Sequence, residues 1–444
     1  MKTGYSKICI TPPLGTMMCG YYKKRRSKGV LDDLYATAVS FDDGERRALI
    51  LAVDVCEFSN AQTDEIRRRV SVATGIDVEA IFVNCSHTHT GPVVGEDLDG
   101  EPTDPEYDEH LFDLFTSVAC ESLQDMRESS FSVGKGRAEG ISFPRRYRMK
   151  SGKVQTNPGV NNPDIDHALG TANDTVKFLK IERANAENLV FVNFGTHADA
   201  VGGEFISGDW PNFVNETVEK VFENTKCVFL TGAQGDVNHI NTAPTVGDRL
   251  GLDYDTFDGV PRGYEHAKHM GRKVAAAVIA GLDKAEPISS DKISYVSKKI
   301  TIPSNRENGK LEEARRILQL HNEGRDRELP YERMELTTVV AEANRICELE
   351  HGPDSFDFTL GALKLGDLVI TAMPGECFVE IGRRIEASYT DGAIMVCCLT
   401  NGGNSYFPTS SAYDEGGYEA RTSKLRKGGD DIIVRGVTDL LSKL

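Results

Sequence analysis

Histidines follow two apolar runs of the sequence, and imidazole is a side chain that can bind metal. The run Ile81–Cys85 leads almost directly into His87-Thr88-His89, and His197 follows the run Val190–Phe194. Neutral imidazole is a preferred nitrogen ligand of zinc, and residues two apart in an extended segment face the same side. We therefore expect both imidazoles of the first segment to point into one cleft. A hydrogen-bonded pair of histidines is the alternative interpretation.

The other candidate side chains, each taken alone, also fit a structural role. His197 precedes Asp199 by two residues, which is typical of a buried histidine held by a carboxylate. Glu376 follows a Pro-Gly pair, where an acidic residue commonly begins a helix and is favoured by the helix dipole. His266 and His269 lie one turn apart in a predicted helix, and a solvated face is the simpler interpretation of that spacing.

The segments that must position these residues alternate between strand-like and helix-like patterns. Ala48–Asp54 and Ile81–Cys85 are predicted strands. Between them a helix is predicted to begin after Ser59 or Asn60 and to end at Gly75. A strand, a helix and a strand in close succession favour a βαβ unit with parallel pairing. Open α/β sheets place their sites beyond the carboxyl ends of strands, where the histidines lie.

The same alternation continues to the end of the chain. The predicted strands are Asn188–Asn193, Cys227–Leu230, Leu368–Thr371 and Ile394–Leu399, and the predicted helices begin at Pro105 and Asp209 or cover Ala267–Leu282, Leu311–Glu323 and Glu332–Glu348. We expect one domain spanning residues 1–444, with a helical excursion at residues 304–353.

Composition and charge exclude several classes of function. The 444 residues include 51 basic and 68 acidic side chains, for a formal net charge of −17, which repels phosphate backbones and anionic lipids. No apolar run reaches the roughly 18–20 residues of a membrane span, and the N-terminus lacks the pattern of a signal peptide. Ten scattered cysteines indicate free thiols. We expect a soluble, cytoplasmic protein that binds neither nucleic acid nor membranes stably.

Five short motifs in a fixed order resemble the catalytic domain of the neutral ceramidases. They are Ile10–Tyr21, Ser86–Pro92, Gly232–Val237, Met373–Glu376, and the tyrosine-rich loop that contains Tyr406, Tyr418 and Glu419. Five motifs in the same order are far more specific than any one of them. The resemblance implies an α/β fold with large mixed β-sheets flanked by α-helices. Because the sequence ends at Leu444, soon after the tyrosine-rich loop, we expect no C-terminal immunoglobulin-like domain of the kind that the full-length enzymes have.

The resemblance implies one zinc ion per chain and a set of residues around it. The implied ligands are His87, His197, Glu376 and Tyr406. The implied catalytic residues are His89, which moves protons, and Arg145 and Tyr418, which stabilise a developing oxyanion or anchor the substrate. Arg146 is the alternative to Arg145, because the asparagine that precedes the arginine in the family is replaced here by Pro144.

One departure from the family bears on the substrate. Asn238, followed by His239, stands where the ceramidases have a serine implicated in catalysis, and we expect these two residues and Arg146 to bind substrate. The predicted function is therefore a zinc-dependent hydrolase in which a metal-activated water cleaves the amide bond of a soluble small-molecule or N-acyl substrate. The alternatives are a zinc esterase or lactonase, a true ceramidase, and a catalytically inactive metal-binding homologue.

Overall fold

The computed structural model describes residues 1–22, 24–96, 100, 102–245, 263–306, 308–403 and 405–444. Its strands are β1 Lys2–Cys9, β2 Met17–Met18, β3 Arg25–Arg26, β4 Gly29–Val30, β5 Tyr35–Asp42, β6 Arg47–Val53, β7 Ile81–Cys85, β8 Arg127–Arg137, β9 Phe143–Pro144, β10 Arg146–Met149, β11 Val154–Thr156, β12 Ile165–Leu169, β13 Thr175–Arg183, β14 Asn188–Phe194, β15 Phe205–Ile206, β16 Thr225–Thr231, β17 Val237–Asn238, β18 Glu286–Ile288, β19 Ile293–Pro303, β20 Ser355–Leu365, β21 Leu368–Ala372, β22 Glu376–Cys377, β23 Ala393–Cys397 and β24 Tyr406–Phe407. Its α-helices are α1 Asn60–Thr74, α2 Pro105–Gln124, α3 Asp209–Val221, α4 Tyr264–Leu282, α5 Leu311–Asn322, α6 Arg333–Glu350, α7 Val379–Ala387, α8 Ser410–Glu415, α9 Tyr418–Thr422 and α10 Gly429–Leu441.

The largest sheet is mixed. Its strand order is β16-β14-β13-β8-β1-β5-β6-β7, with β18 paired to β8. The pairs β6–β7 and β14–β16 are parallel, whereas the other neighbours are antiparallel. Each of the two parallel pairs is joined by a connection that contains a helix, as a parallel crossover requires. The predicted α/β fold with mixed sheets is confirmed.

The unit β6–α1–β7 forms because its local signals agree with one another. The side chain of Ser59 accepts a hydrogen bond from the backbone of Gln62, and the Gln62 side chain accepts one from the Ser59 backbone in return. The helix ends at Gly75, whose φ of +71° is a left-handed conformation that glycine adopts without strain. Ile66 and Val70 are buried against the sheet side of the helix. Both predicted helix ends are confirmed.

A second sheet packs against the first and closes the main hydrophobic core. Its order is β19-β20-β21-β23. Phe82 of β7 lies in one core cluster with Leu363 and Ile370 of the second sheet. A β-carbon built on Gly361 would lie 3.2 Å from the Phe82 ring, so this glycine lets the ring lie close to the backbone of β20. Burial of a side chain such as Phe82 contributes about 1.5–3 kcal/mol to stability.

Helices flank both sheets. Helix α2 packs on β1 and β5, α3 packs on β16, α4 packs on β8, and α10 packs on β19 and β20. Helices α5 and α6 pack on each other within the predicted excursion at residues 304–353, and α6 also contacts α9. The assignment of the whole chain to one domain stays a prediction. In the described part of the chain, no helix combines the length and the apolar character needed for a bilayer span.

Candidate metal centre

Three side chains from distant parts of the sequence meet at one point. His87 follows β7, His197 follows β14, and Glu376 begins β22. The Oε2 atom of Glu376 lies 3.3 Å from the Nε2 atom of His87 and 2.9 Å from that of His197. All three residues are buried, and one potential ligand atom from each lies within 4.8 Å of the others. The structure thus brings together three of the four expected zinc ligands.

The backbone at His87 differs from the extended geometry assumed from the sequence. Its φ is +67°, a left-handed value that is uncommon for a residue other than glycine. The segment His87-Thr88-His89 therefore turns sharply after β7 instead of continuing it. The two imidazoles still face each other, with 3.3 Å between their Nε2 atoms. The expected cleft between the two imidazoles is present. It results from this turn, and not from side chains that alternate along an extended strand, so the expected cause is wrong.

Backbone carbonyls fix the orientation of both ligand-like histidines. The Nδ1 atom of His87 lies 2.9 Å from the carbonyl oxygen of Cys56, and that of His197 lies 3.1 Å from the carbonyl oxygen of Gln234. A carbonyl oxygen only accepts hydrogen bonds, so Nδ1–H is the donor and the Nε2 lone pair of the neutral ring faces Glu376. A second hydrogen bond of this kind is the usual support of a metal-binding histidine.

The charges at this point favour a cation. Burial alone would raise the pKa of Glu376, but His87 and His197 outweigh it and hold the pKa well below its usual range. Burial lowers the pKa of His87, whereas Glu376 raises it, and the net value is about 9. Burial and then Arg145 lower the pKa of His197. An ionised carboxylate thus attracts positive charge to the space between the two Nε2 atoms. A divalent metal ion meets this requirement.

A second group of candidate ligands fits a metal less well. Cys56, His87 and His89 also place ligand atoms close together. A cysteine binds metal as the thiolate. The hydrogen bond with the Cys19 side chain, burial and the charge of nearby carboxylates raise the pKa of the Cys56 thiol well above its usual value. Among the described residues, the histidine–histidine–glutamate group is therefore the better metal site.

Tyr406 lies beside this group because of a short parallel strand pair. Strand β24 pairs with β22, and Tyr406 is the register partner of Glu376. Its hydroxyl oxygen lies 3.5 Å from the Nε2 atom of His197. Burial and the Glu376 carboxylate raise the pKa of Tyr406 well above its usual value, so the phenol is neutral around pH 7. The fourth expected ligand is thus close to the other three.

Arg145, rather than Arg146, reaches the centre. The Nη1 atom of Arg145 lies 3.2 Å from the Nε2 atom of His197, and its Nε atom pairs with Glu419 at 2.7 Å. Arg146 turns away, pairs with Glu415 and also donates to the carbonyl oxygen of Gly416. Geometry therefore favours Arg145 as the arginine of the site.

His89 and Tyr418 complete the surroundings of the centre. Burial and the positive charge of His87 lower the pKa of His89 well below its usual value, so this imidazole is neutral. The Tyr418 ring lies 5.6 Å from that of Tyr406, and its hydroxyl oxygen lies 2.9 Å from the hydroxyl oxygen of Tyr22. Both residues that the resemblance assigns to catalysis next to the metal therefore line the same space.

Comparison with known proteins identifies the fold. No protein-family model matches the sequence, and no curated protein matches it. The structure of neutral ceramidase from Pseudomonas aeruginosa matches with a TM-score of 0.73 at 15% identity, covering 99% of this chain and 74% of that chain. A structure of a ceramidase complexed with C2 matches with the same values. The chain has the neutral ceramidase fold. This finding confirms the resemblance that the five motifs indicated.

Two sequence interpretations of histidines in this neutral ceramidase fold are wrong. Asp199 does not hold His197, because its Oδ1 atom lies 3.0 Å from the Nδ1 atom of His239 instead. His266 does not lie on a solvated face, because helix α4 turns it toward the ring of His239, 5.3 Å away between centroids. The spacing of residues within one segment carries no information about such contacts between segments.

The three residues expected to bind substrate are placed as follows. The Asn238 amide donates to the side chain of Asn157 and accepts from the backbone of Ile240. His239 is buried, and its Nε2 atom has no hydrogen-bond partner in the described structure. Arg146 contacts the segment that precedes Tyr418. Substrate contact stays a prediction for all three.

Two further residues beside the candidate metal centre were given no role from the sequence. Glu419 is fully buried and pairs with both Arg145 and Arg146. Its only sequence signal is its position directly after Tyr418. Tyr22 contacts the Tyr418 hydroxyl, and its only signal is that it directly follows the first motif.

Proposed function

We propose that this protein is a zinc-dependent hydrolase that cleaves the amide bond of a small N-acyl substrate. The observation that carries the proposal is the convergence of two Nε2 lone pairs and one carboxylate oxygen, from His87, His197 and Glu376. Nitrogen and oxygen donors in this number are typical of catalytic zinc sites, which keep one position open. The shared fold with two ceramidases supports ceramidase-like hydrolysis.

One ion per chain would be held by His87, His197 and Glu376, with Tyr406 as the fourth ligand. A water would then take a fifth position, which zinc can accept. When bound, zinc supplies Lewis-acid chemistry, which polarises a carbonyl and lowers the pKa of a water molecule to roughly 7. The rest of the chemistry falls to the neighbouring side chains.

His89 is the proposed proton carrier. Its imidazole is neutral and lies against His87, so it can accept a proton from the attacking water and deliver it to the leaving amine nitrogen. Arg145 and the Tyr418 hydroxyl are the proposed donors to the carbonyl oxygen as negative charge develops on it. Glu419 holds the guanidinium of Arg145 in place through its ion pair.

The proposed substrate is a small acyl or amide compound in the cytoplasm. The ten cysteines are all free thiols, which fits a reducing compartment. The net charge of −17 disfavours nucleic acid and stable association with anionic membranes. Asn238 stands where the family has a serine, and its amide is occupied by contacts within the protein. These observations support a substrate other than ceramide.

A substrate panel tests the proposal. Purified protein is loaded with zinc and offered N-acyl amides, esters of the same acyl groups, lactones and ceramide. We expect zinc-dependent turnover of amides that is lost in Glu376→Gln. If only esters or lactones are turned over, the protein is an esterase or lactonase and not an amidase. Turnover of ceramide would identify a true ceramidase. Zinc bound at one per chain without turnover of any acyl compound would identify an inactive metal-binding protein.

A further inference from the structure

An N-terminal segment, residues 19–22, covers one side of the metal centre and is firmly anchored there. The guanidinium of Arg25 donates to the carbonyl oxygens of Cys19, His89 and Gly203. The same guanidinium lies 4.1 Å from the centre of the Tyr21 ring. Three charge-assisted hydrogen bonds and a cation–π contact tie the segment to the loop that carries His89. Residues 19–22 are therefore held in a fixed position beside the candidate metal centre.

The segment lies directly against the proposed proton carrier. A β-carbon built on Gly20 would lie 2.5 Å from the His89 side chain, which is closer than two non-bonded carbon atoms approach each other. The Tyr21 ring meets the His89 ring edge to face at 5.6 Å between centroids. The backbone and side chains of this segment thus form the wall next to His89.

Tyr22 is the outermost residue of a row of tyrosines that leads to the metal ligands. Tyr22 as a whole residue is 40% exposed, whereas Tyr418 is buried. The two hydroxyl oxygens are 2.9 Å apart, and the rings meet edge to face at 6.4 Å. Tyr418 in turn lies 5.6 Å from the ring of Tyr406. Tyr22 therefore stands between solvent and the row Tyr418–Tyr406.

We propose that Tyr22 is a specificity-determining residue that restricts the site to substrates with a small group on the side of Tyr418. The proposal rests on the proposed function, since it concerns what reaches the same metal. A long chain attached to the scissile bond would compete with the Tyr22 ring for the space beside Tyr418, and making room for the chain would require the ring to move. That movement breaks the hydroxyl pair and the aromatic contact. The substrate class is therefore N-acyl compounds with a short acyl or a small amine group.

The test uses two metal-binding probes that differ in length. Acetohydroxamate and octanohydroxamate carry the same zinc-binding group, and calorimetry with the zinc-loaded protein measures their affinities. Burial of the longer chain normally strengthens binding. We expect the reverse order in the wild-type protein, with acetohydroxamate at least about tenfold tighter. In Tyr22→Ala, octanohydroxamate gains at least about tenfold in affinity, while acetohydroxamate changes less than about threefold.

Tyr22→Phe is the matched control, because it removes only the hydroxyl and keeps the ring. It should retain most of the wild-type preference for the short probe, because the ring and its aromatic contact remain although the hydroxyl pair is lost. Tyr22→Leu, with a smaller side chain than tyrosine, should give an intermediate preference and provides a second variant should the alanine variant unfold. Circular dichroism and zinc content, measured for each variant, exclude a change of fold or of metal loading.

Several outcomes would overturn the inference. The inference fails if the wild-type protein binds octanohydroxamate as tightly as acetohydroxamate or more tightly. It also fails if the ratio of the two affinities is unchanged in both Tyr22→Ala and Tyr22→Leu, or if neither probe binds. Turnover separates this inference from the proposed function. If the probes bind as expected but no acyl compound is hydrolysed, the hydrolase proposal fails and the role of Tyr22 at the metal site stands. If amides are hydrolysed but the probes show no length preference, the hydrolase proposal stands and the role of Tyr22 fails.

Discussion

Glu376 directs its Oε2 atom to within 2.9 Å of the Nε2 atom of His197, although the two residues are far apart in the sequence. The Nδ1–H group of His197 is already directed at a backbone carbonyl, so in the neutral ring both facing atoms are hydrogen-bond acceptors. Two buried acceptors at this distance repel each other unless a cation or a proton lies with them. The pair, together with His87, is therefore a candidate position for a metal ion.

Removal of ligands should remove the metal. In His87→Ala and in Glu376→Gln, we expect zinc content after dialysis to fall from about one per chain to near zero. The affinity should fall by more than about a hundredfold, because few ligands remain. Mass spectrometry of metals measures the content. His167→Ala is the control, since this exposed histidine lies on β12 and pairs with Asp166. Unchanged zinc content in His87→Ala would exclude the proposed centre.

Zinc affinity should depend on pH through His87. Burial lowers the pKa of this residue, but Glu376 raises it to about 9, so the ring carries a proton at pH 7 before metal binds. Zinc must displace that proton, because only neutral imidazole is a ligand. The apparent affinity should rise by about tenfold per pH unit from pH 7 and level off near pH 9. Calorimetry at pH 7 in buffers of different ionisation enthalpy should show release of about one proton, and release of none would contradict this.

Local signals explain which elements were predictable from the sequence. Helix α1 begins at the predicted cap Ser59 and ends at the predicted glycine Gly75, because capping and left-handed glycine act within a few residues. Helix α4 begins at Tyr264 instead of Ala267, and the Tyr264 ring in this additional turn packs against Phe213 of α3. Such ends depend on contacts that no local pattern records.

The site was predictable only where it had a motif. The spacing of His87 and His89 suggested one cleft but could not reveal the positive φ at His87 that forms it. Glu376 and Tyr406 meet through the pairing of β22 with β24, which joins distant segments. Glu419 and the bond between Tyr22 and Tyr418 are likewise contacts between distant segments. The family resemblance predicted some of these site residues, whereas the hydrophobic periodicity of the sequence predicted none of them.

Tyr406→Phe should weaken the metal site without unfolding the protein. The change removes only the hydroxyl, which lies 3.5 Å from the Nε2 atom of His197. We expect zinc affinity to fall by about tenfold and turnover to slow, with an unchanged melting temperature of the zinc-free protein. Competition with a fluorescent chelator measures the affinity. Wild-type affinity together with wild-type kinetics would exclude Tyr406 as a ligand.

Arg145 and Arg146 form a matched pair, because both contact Glu419 but only Arg145 reaches His197. Arg145→Lys keeps the charge and loses the fixed geometry of the guanidinium. We expect kcat to fall by about 10²–10³-fold with zinc retained, as for loss of an oxyanion donor. Arg146→Lys should change kcat less than about threefold, and the expected substrate contact of Arg146 should appear as a higher KM. Equal losses in the two variants would mean that Arg145 acts only through the stability of the buried pair.

Gly20→Ala should disturb His89 specifically. A β-carbon at Gly20 would lie 2.5 Å from the side chain of His89, so the imidazole must move. Displacement of a proton carrier by about 1 Å costs up to about a hundredfold in rate. Zinc should remain, because the three atoms nearest to the added carbon all belong to His89, which is not one of the proposed ligands. Gly15→Ala is the control: its φ of +91° brings a similar backbone strain, but no atom lies within 4 Å of the added carbon. Both variants should melt at a reduced temperature, and Gly20→Ala at the lower one because it also displaces His89, but only Gly20→Ala should lose turnover in the folded protein. Equal activity in the two would mean that the position of the His89 ring does not limit the reaction.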